Sequence, residues 1–206
     1  MFSTRRISIP LVGKGALAQQ RFRTAADIIS RNGASNVFLT RVMGGHGAGS
    51  MHLYAMFDSM EQTMQVGANL MEDQAWASLM AEREADPSAE VLGPDLVRLI
   101  AGQPHAGNSA MMVREWSIPR SKMADAVEMH GKILNMVKDH GINLTMWAPM
   151  IAADMTRMVA VYSAADMVAL GRGVDQVGLT PEFQSLLVEA SQIGTLQSAW
   201  GMVRID

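Results

Sequence analysis

Apolar and polar positions divide the chain into two stretches of the same plan. Residues 4–10 alternate as a short strand, and a turn follows at 12–15. Helical spacing then runs over 16–32, with Ala18, Phe22, Ala25 and Ile29 on one face and Gly33 placed to stop it. Two β-rich runs, 36–43 and 52–57, flank the glycine-rich 44–49, and glycine between such runs is hairpin chemistry. A helical stretch over 59–84, with a break near Glu72 and Asp73, precedes a strand at 96–100. The second stretch repeats this. Ala126, His130, Ile133 and Val137 share a helix face that ends by Gly141, and strands follow at 143–149 and 157–162 around a turn at 152–154. A helix spans 164–172, Thr180 caps another with Pro181 in its first turn, and a strand closes at 196–205.

The residues repeat as well as the pattern. Trp76-Ala77-Ser78-Leu79-Met80-Ala81-Glu82 returns as Phe183-Gln184-Ser185-Leu186-Leu187-Val188-Glu189, a shift of 107. Arg6-Ile7-Ser8-Ile9-Pro10 returns as Glu115-Trp116-Ser117-Ile118-Pro119, a shift of 109, and Val97-Arg98-Leu99-Ile100 as Val203-Arg204-Ile205-Asp206, a shift of 106. A period near half the chain predicts two similar domains, 1–101 and 111–206, joined by a linker at 102–110. Each half reads β-α-β-β-α-β, the ferredoxin-like order, which gives an antiparallel sheet with helices on one face. Phe38, Val42, Tyr54 and Met56 share the other face and are too apolar for water. Two linked copies are therefore expected to cover one another, sheet on sheet.

Composition narrows the chemistry. A net charge of -3 argues against a nucleic-acid or anionic-membrane footprint. With no cysteine, disulfides, thiolate metal sites and cysteine nucleophiles are excluded, and a cytoplasmic home fits. Because residues 6–10 match an internal strand, the fold is expected to begin almost at Met1 with no presequence, and no run is long enough for a membrane span. The nineteen methionines are scattered without a tight array, which reads as core filler. No His/Asp/Glu cluster has metal spacing, so no metal is expected.

The helix segment Asp73-Gln74-Ala75-Trp76-Ala77-Ser78-Leu79-Met80, its echo Thr180-Pro181-Glu182-Phe183-Gln184-Ser185-Leu186-Leu187 and the element order resemble the dimeric α+β barrel superfamily, which includes antibiotic-biosynthesis-monooxygenase-like and NIPSNAP-like proteins. The resemblance covers nearly the whole chain. It implies an α+β fold in which two ferredoxin-like repeats pair into one intramolecular barrel, with ligand cavities inside the barrel or between sheet and helices. Its members include cofactor-free oxygenases acting on quinol-like aromatics, haem-dependent enzymes, isomerases and proteins without a known reaction, so the fold does not choose the function.

Several residues are candidates for chemistry. His52 and Tyr54 lie two apart on one strand and so share a face, where they can bind a phenol or move a proton; the bland reading is a polar sheet margin. Arg6 and Arg98 are candidates to hold a carboxylate or enolate, although Arg6 can instead pair with Glu115. His130 takes the helix position that Phe22 holds in the other half, which suits a general base, a haem ligand or a satisfied core histidine. Trp116 and Trp147 offer aromatic walls, and Arg157 stands where the first half has His52. The Gly44–Gly49 run lacks the helix that a phosphate loop needs and reads as a hairpin.

Three functions follow as expectations. The first is an oxygenase- or isomerase-like enzyme without cofactor, acting on an apolar aromatic or quinone-like molecule, with His52 as base, Tyr54 as oxyanion donor and Arg6 or Arg98 stabilising charge. The second is a non-catalytic ligand carrier or oligomeric scaffold. The third is a haem protein with His130 as axial ligand. The expected partners are a small apolar ligand and a second copy of the chain, with neither nucleic acid nor membrane.

Overall fold

Eight strands close on one another in the order β1-β3-β2-β8-β5-β7-β6-β4, every neighbouring pair antiparallel. The structure is a computed structural model and describes residues 1–205, so Asp206, the last residue of the third repeat match, lies outside the described residues. The strands are β1 Phe2–Pro10, β2 Asn36–Gly45, β3 Met51–Phe57, β4 Ala89–Ala101, β5 Ala110–Ser117, β6 Asn143–Ile151, β7 Arg157–Ala164 and β8 Thr195–Arg204. The helices are α1 Gly15–Arg31, α2 Met60–Glu72, α3 Gln74–Ala85, α4 Met123–Val137, α5 Met167–Gly173 and α6 Pro181–Ser191. The fold is α+β, and its order β4-β1-β3-β2 in the first half matches β8-β5-β7-β6 in the second.

Local signals set the helix boundaries. Asp73 separates α2 from α3, and its carboxylate accepts from the amides of Ala75 at 2.8 Å and Trp76 at 3.0 Å, so it caps the second helix where the break was expected. Thr180 does the same for α6, accepting from the Phe183 amide. In the second half a single π turn, Val174–Gly178, lies between α5 and α6. No helix among the described residues is long and apolar enough to cross a membrane.

The inner faces are covered differently from the stacked arrangement expected above. The two sheets meet at their edges. Strand β2 pairs with β8 from Thr40↔Arg204 to Gly45↔Trp200, and β4 pairs with β6 from Leu96↔Ile151 to Ala101↔Met146. Edge strands carry rows of backbone groups that must be satisfied, and joining the edges satisfies them while wrapping the apolar faces around a lumen. The glycine-rich segment is the β2–β3 hairpin, and it serves one of these seams. Gly45 has φ +84°, and a Cβ there would overlap the Ala199 carbonyl of β8.

Outside the barrel, helices cover the strands. Phe22, Ile28 and Ile29 of α1 pack on Leu53, Ala55 and Phe57 of β3 in the first half. Met129 and Ile133 of α4 pack with Leu144, Tyr162 and Phe183 in the second. A third cluster, Val42, Met111, Val113, Trp200 and Met202, fills part of the lumen itself.

Candidate functional site

Strand alternation builds the lumen. On β3 Leu53, Ala55 and Phe57 turn to the helices, so His52, Tyr54 and Met56 turn inward. The lumen holds a cavity of about 300 Å³, walled by side chains from all eight strands and lined mainly by apolar groups, among them Phe38, Met56, Val97, Met111, Val161 and Met202. Tyr54, Arg5, Asp95 and Arg157 bring polar groups to it.

Tyr54 and His52 form a directed chain. The Tyr54 hydroxyl lies 3.1 Å from His52 Nδ1, and His52 Nε2 lies 3.4 Å from Ser50 Oγ. The Ser50 hydroxyl donates to the Gly47 carbonyl at 2.6 Å. With its one proton committed there, Ser50 Oγ can only accept from His52, which puts the imidazole proton on Nε2 and leaves Nδ1 to accept from Tyr54. The imidazole is a stronger acceptor than Met202 Sδ, 3.7 Å from the Tyr54 hydroxyl, so the Tyr54 proton goes to His52; one lone pair of the Tyr54 oxygen meets Arg5, and the other remains to accept from the lumen.

Burial sets the charge states. His52 is 4% exposed, and its pKa falls to about 3, chiefly through desolvation, with the charges of Arg5 and His46 adding to it. Tyr54 is pushed up to about 12, again by burial first, against the pull of Arg5. Both are neutral at pH 7, and His52 is a poor proton acceptor.

Beside them lies an ionic network that joins the halves. Asp95 Oδ2 receives Arg5 Nη2 at 3.2 Å and Arg157 Nη1 at 3.1 Å, and Arg157 Nε stands 3.5 Å from Glu115 Oε2. Two guanidiniums thus face two carboxylates. Arg5 also lies over the Trp200 ring at 5.8 Å, and Arg204 lies over Phe38 at 4.8 Å on the cavity wall.

The residues predicted from sequence are divided among four places. Tyr54, Trp147 and Arg157 line the lumen, and His52 lies behind Tyr54. The Trp147 indole donates to Thr145 Oγ1 at 3.0 Å. Arg6 is not in the lumen: it points outward beneath α1 and α3, over Trp76 at 5.6 Å, and Glu115 pairs with Arg157 instead. The 109-residue match between Arg6 and Glu115 slips by one, and a one-residue slip exchanges the faces of a strand. Arg114 is the residue that resembles Arg6, standing over Tyr162 at 5.5 Å on the outer side. Arg98 is exposed on β4, on the opposite side from the lumen-facing Val97.

Trp116 and His130 line a separate space of about 50 Å³ beneath α4. Such a volume admits a few waters. His130 Nε2 is 3.1 Å from the Leu144 carbonyl, so that nitrogen is a committed donor, and burial holds the ring's pKa below its ordinary value. The space does not fit a porphyrin, and the nitrogen is not free to bind its iron. Arg5 and Asp95 at the lumen, and Glu115 behind Arg157 in the same ionic network, are the residues that sequence reasoning missed as a site; charged residues on the same strand faces as inward apolar ones were the available signal.

No protein-family model matches the chain, and no curated protein matches it in sequence. Solved structures do match in fold. An anthrone oxidase-like protein aligns with TM-score 0.64 and 7% identity, over 100% of this chain and 91% of its own. A candidate monooxygenase from Lactobacillus acidophilus aligns at 0.58 and 10%, over 99% and 94%. A chlorite dismutase from Candidatus Nitrospira defluvii aligns at 0.56 and 8%, over 100% and 91%. The chain has the dimeric α+β barrel fold, with all eight barrel strands supplied by one polypeptide.

Proposed function

We propose that the lumen binds a neutral, apolar hydroxyaromatic molecule of the phenol or quinol class and promotes its cofactor-independent oxygenation or isomerisation. The observation that carries this reading is the acceptor face of Tyr54 at an apolar wall, set by the Tyr54–His52–Ser50–Gly47 chain. A ligand hydroxyl donates to the Tyr54 oxygen, and the Arg5 guanidinium beside it favours negative charge on the ligand oxygen once its proton has passed to solvent water; in the oxygenation reading dioxygen is the oxidant and is reduced to water as the ligand is oxidised. His52, with its low pKa, orients Tyr54 rather than taking the proton. The charge balance of Arg5 and Arg157 against Asp95 and Glu115 disfavours an ionised ligand and suits a neutral one. The anthrone oxidase-like and monooxygenase-like neighbours lend this chemistry support by analogy.

One observation favours a second reading, binding without turnover: neither His52 nor Tyr54 supplies a base at neutral pH. Calorimetry with 1-naphthol and its methyl ether tests the site. Naphthol is expected to bind about tenfold more tightly, the worth of one oriented hydrogen bond, and Tyr54→Phe to erase the difference. Equal affinities in the wild type would end the lumen assignment. Oxygen uptake with anthrone as substrate then separates the readings, since its absence leaves binding alone. We also read residues 1–101 and 111–206 as tandem copies, on the support of their shared strand order.

A further inference from the structure

A second cavity lies on the opposite face of β1. It has a volume of about 290 Å³ and sits between α1, α3 and strands β1 and β4. Three arginines reach it, Arg6 from β1, Arg21 from α1 and Arg83 from α3. None of them forms an ion pair with a carboxylate among the described residues. Arg6 is held by the Trp76 ring, Arg83 donates to Met80 Sδ at 3.4 Å, and Arg21 donates to the Asp86 and Glu82 carbonyls and to Ser88 Oγ. The Asp86 carboxylate is taken by Lys14, and Glu84, which also lines the cavity, pairs with none of the three.

Two further observations point to a missing partner. Ser8 is 1% exposed at this cavity, and its hydroxyl has no hydrogen-bond partner; Arg21 Nε is likewise buried and unpaired. Burial and the neighbouring charge of Arg83 pull the Arg6 pKa down to about 10, and Arg83 is itself lowered by burial and by Arg21. Like charges brought together at half-buried positions lose part of their hydration, and an anion that joins them offsets that cost. The remaining walls, Phe22, Ala25, Trp76, Leu79 and Val91, are apolar.

We propose that this cavity is a second binding site, for a small organic anion whose carboxylate meets Arg6, Arg83 and the Ser8 hydroxyl while its apolar body lies against Phe22, Trp76 and Leu79. Guanidinium forks match a carboxylate in shape as well as charge, and a charged acceptor gives shorter, stronger hydrogen bonds than a neutral one. The site is independent of the lumen, because adjacent residues Arg5 and Arg6 point to opposite faces of the same strand.

Octanoate, with octan-1-ol as its neutral counterpart, tests the site by calorimetry on the full chain. Octanoate is expected to bind at one site, and octanol at least about tenfold more weakly. Arg6→Met and Arg83→Gln should each weaken octanoate about tenfold, and Ser8→Ala by a smaller factor. Arg83 is a helix-surface residue, so Arg83→Gln keeps the test alive if Arg6→Met fails to fold. Tyr54→Phe should leave octanoate binding unchanged, which separates this site from the lumen. No octanoate binding, equal binding of octanol, or an affinity that ignores Arg83→Gln would overturn the proposal.

Discussion

His52 should make the protein acid-sensitive well above the range in which carboxylates titrate. The perturbation is a change from pH 7 to pH 5. The unfolded imidazole has a pKa of 6.5, and the folded one about 3. Because the folded value is the lower, the unfolded chain binds more protons between the two, and stability rises with pH across that window. The contribution is complete above 6.5 and is lost as pH falls toward 3. Linkage gives a loss of about 2 kcal/mol between pH 7 and pH 5, or about 4–8 °C in Tm for a chain of this size. The assay compares thermal unfolding of the wild type and His52→Gln at both pH values. His130 is shifted in the same direction but is present in both proteins, so the difference between them isolates His52. The imidazole carbon resonances of His52 should meanwhile stay at their neutral positions down to pH 5. A His52 titration with its midpoint near the ordinary histidine value, or equal acid sensitivity in the two proteins, would refute the burial and hydrogen-bond argument.

Three further substitutions, one of them a control, test how the halves are joined. Gly45→Ala should cost about 2 kcal/mol or more, from its φ of +84° and the overlap with β8, whereas Gly44→Ala, with nothing within 4 Å of its new Cβ, should cost clearly less; urea midpoints compare them. Asp95→Asn leaves Arg5 and Arg157 without their shared carboxylate and should destabilise by about 1–3 kcal/mol, less at high salt, as denaturant titration at two ionic strengths will show.

What the sequence disclosed follows from the range of the forces involved. The break at Asp73 and the start at Thr180 were legible because a cap is a bond between residues two or three apart. The hairpin at Gly44–Gly49 was legible for the same reason. The first half of β4 was not: Glu90, Gly93, Pro94 and Asp95 conceal a strand that exists through its pairing with β1. The site was legible only in part. Tyr54 and His52 share a strand, so alternation alone paired them, but Arg5 meets Tyr54 through the β1–β3 register, and Asp95 meets Arg157 across the β4–β6 side of the barrel. Arg6 was assigned to the wrong face because the repeat was matched by residue identity at a point where β1 and β5 carry their bulges differently, between Arg5 and Ile7 in one and between Glu115 and Trp116 in the other.

The circular strand order has a consequence for self-association. Each of the eight strands has a hydrogen-bonded neighbour on both sides for at least part of its length, and β4, which meets β6 only from Leu96 onward, has a strand partner on one side alone over residues 89–95. Copies of this chain that join by continuous sheet without unzipping a barrel therefore have only that short segment of β4 to add to, and any broader contact must use helix surfaces or loop rims, by side-chain contact.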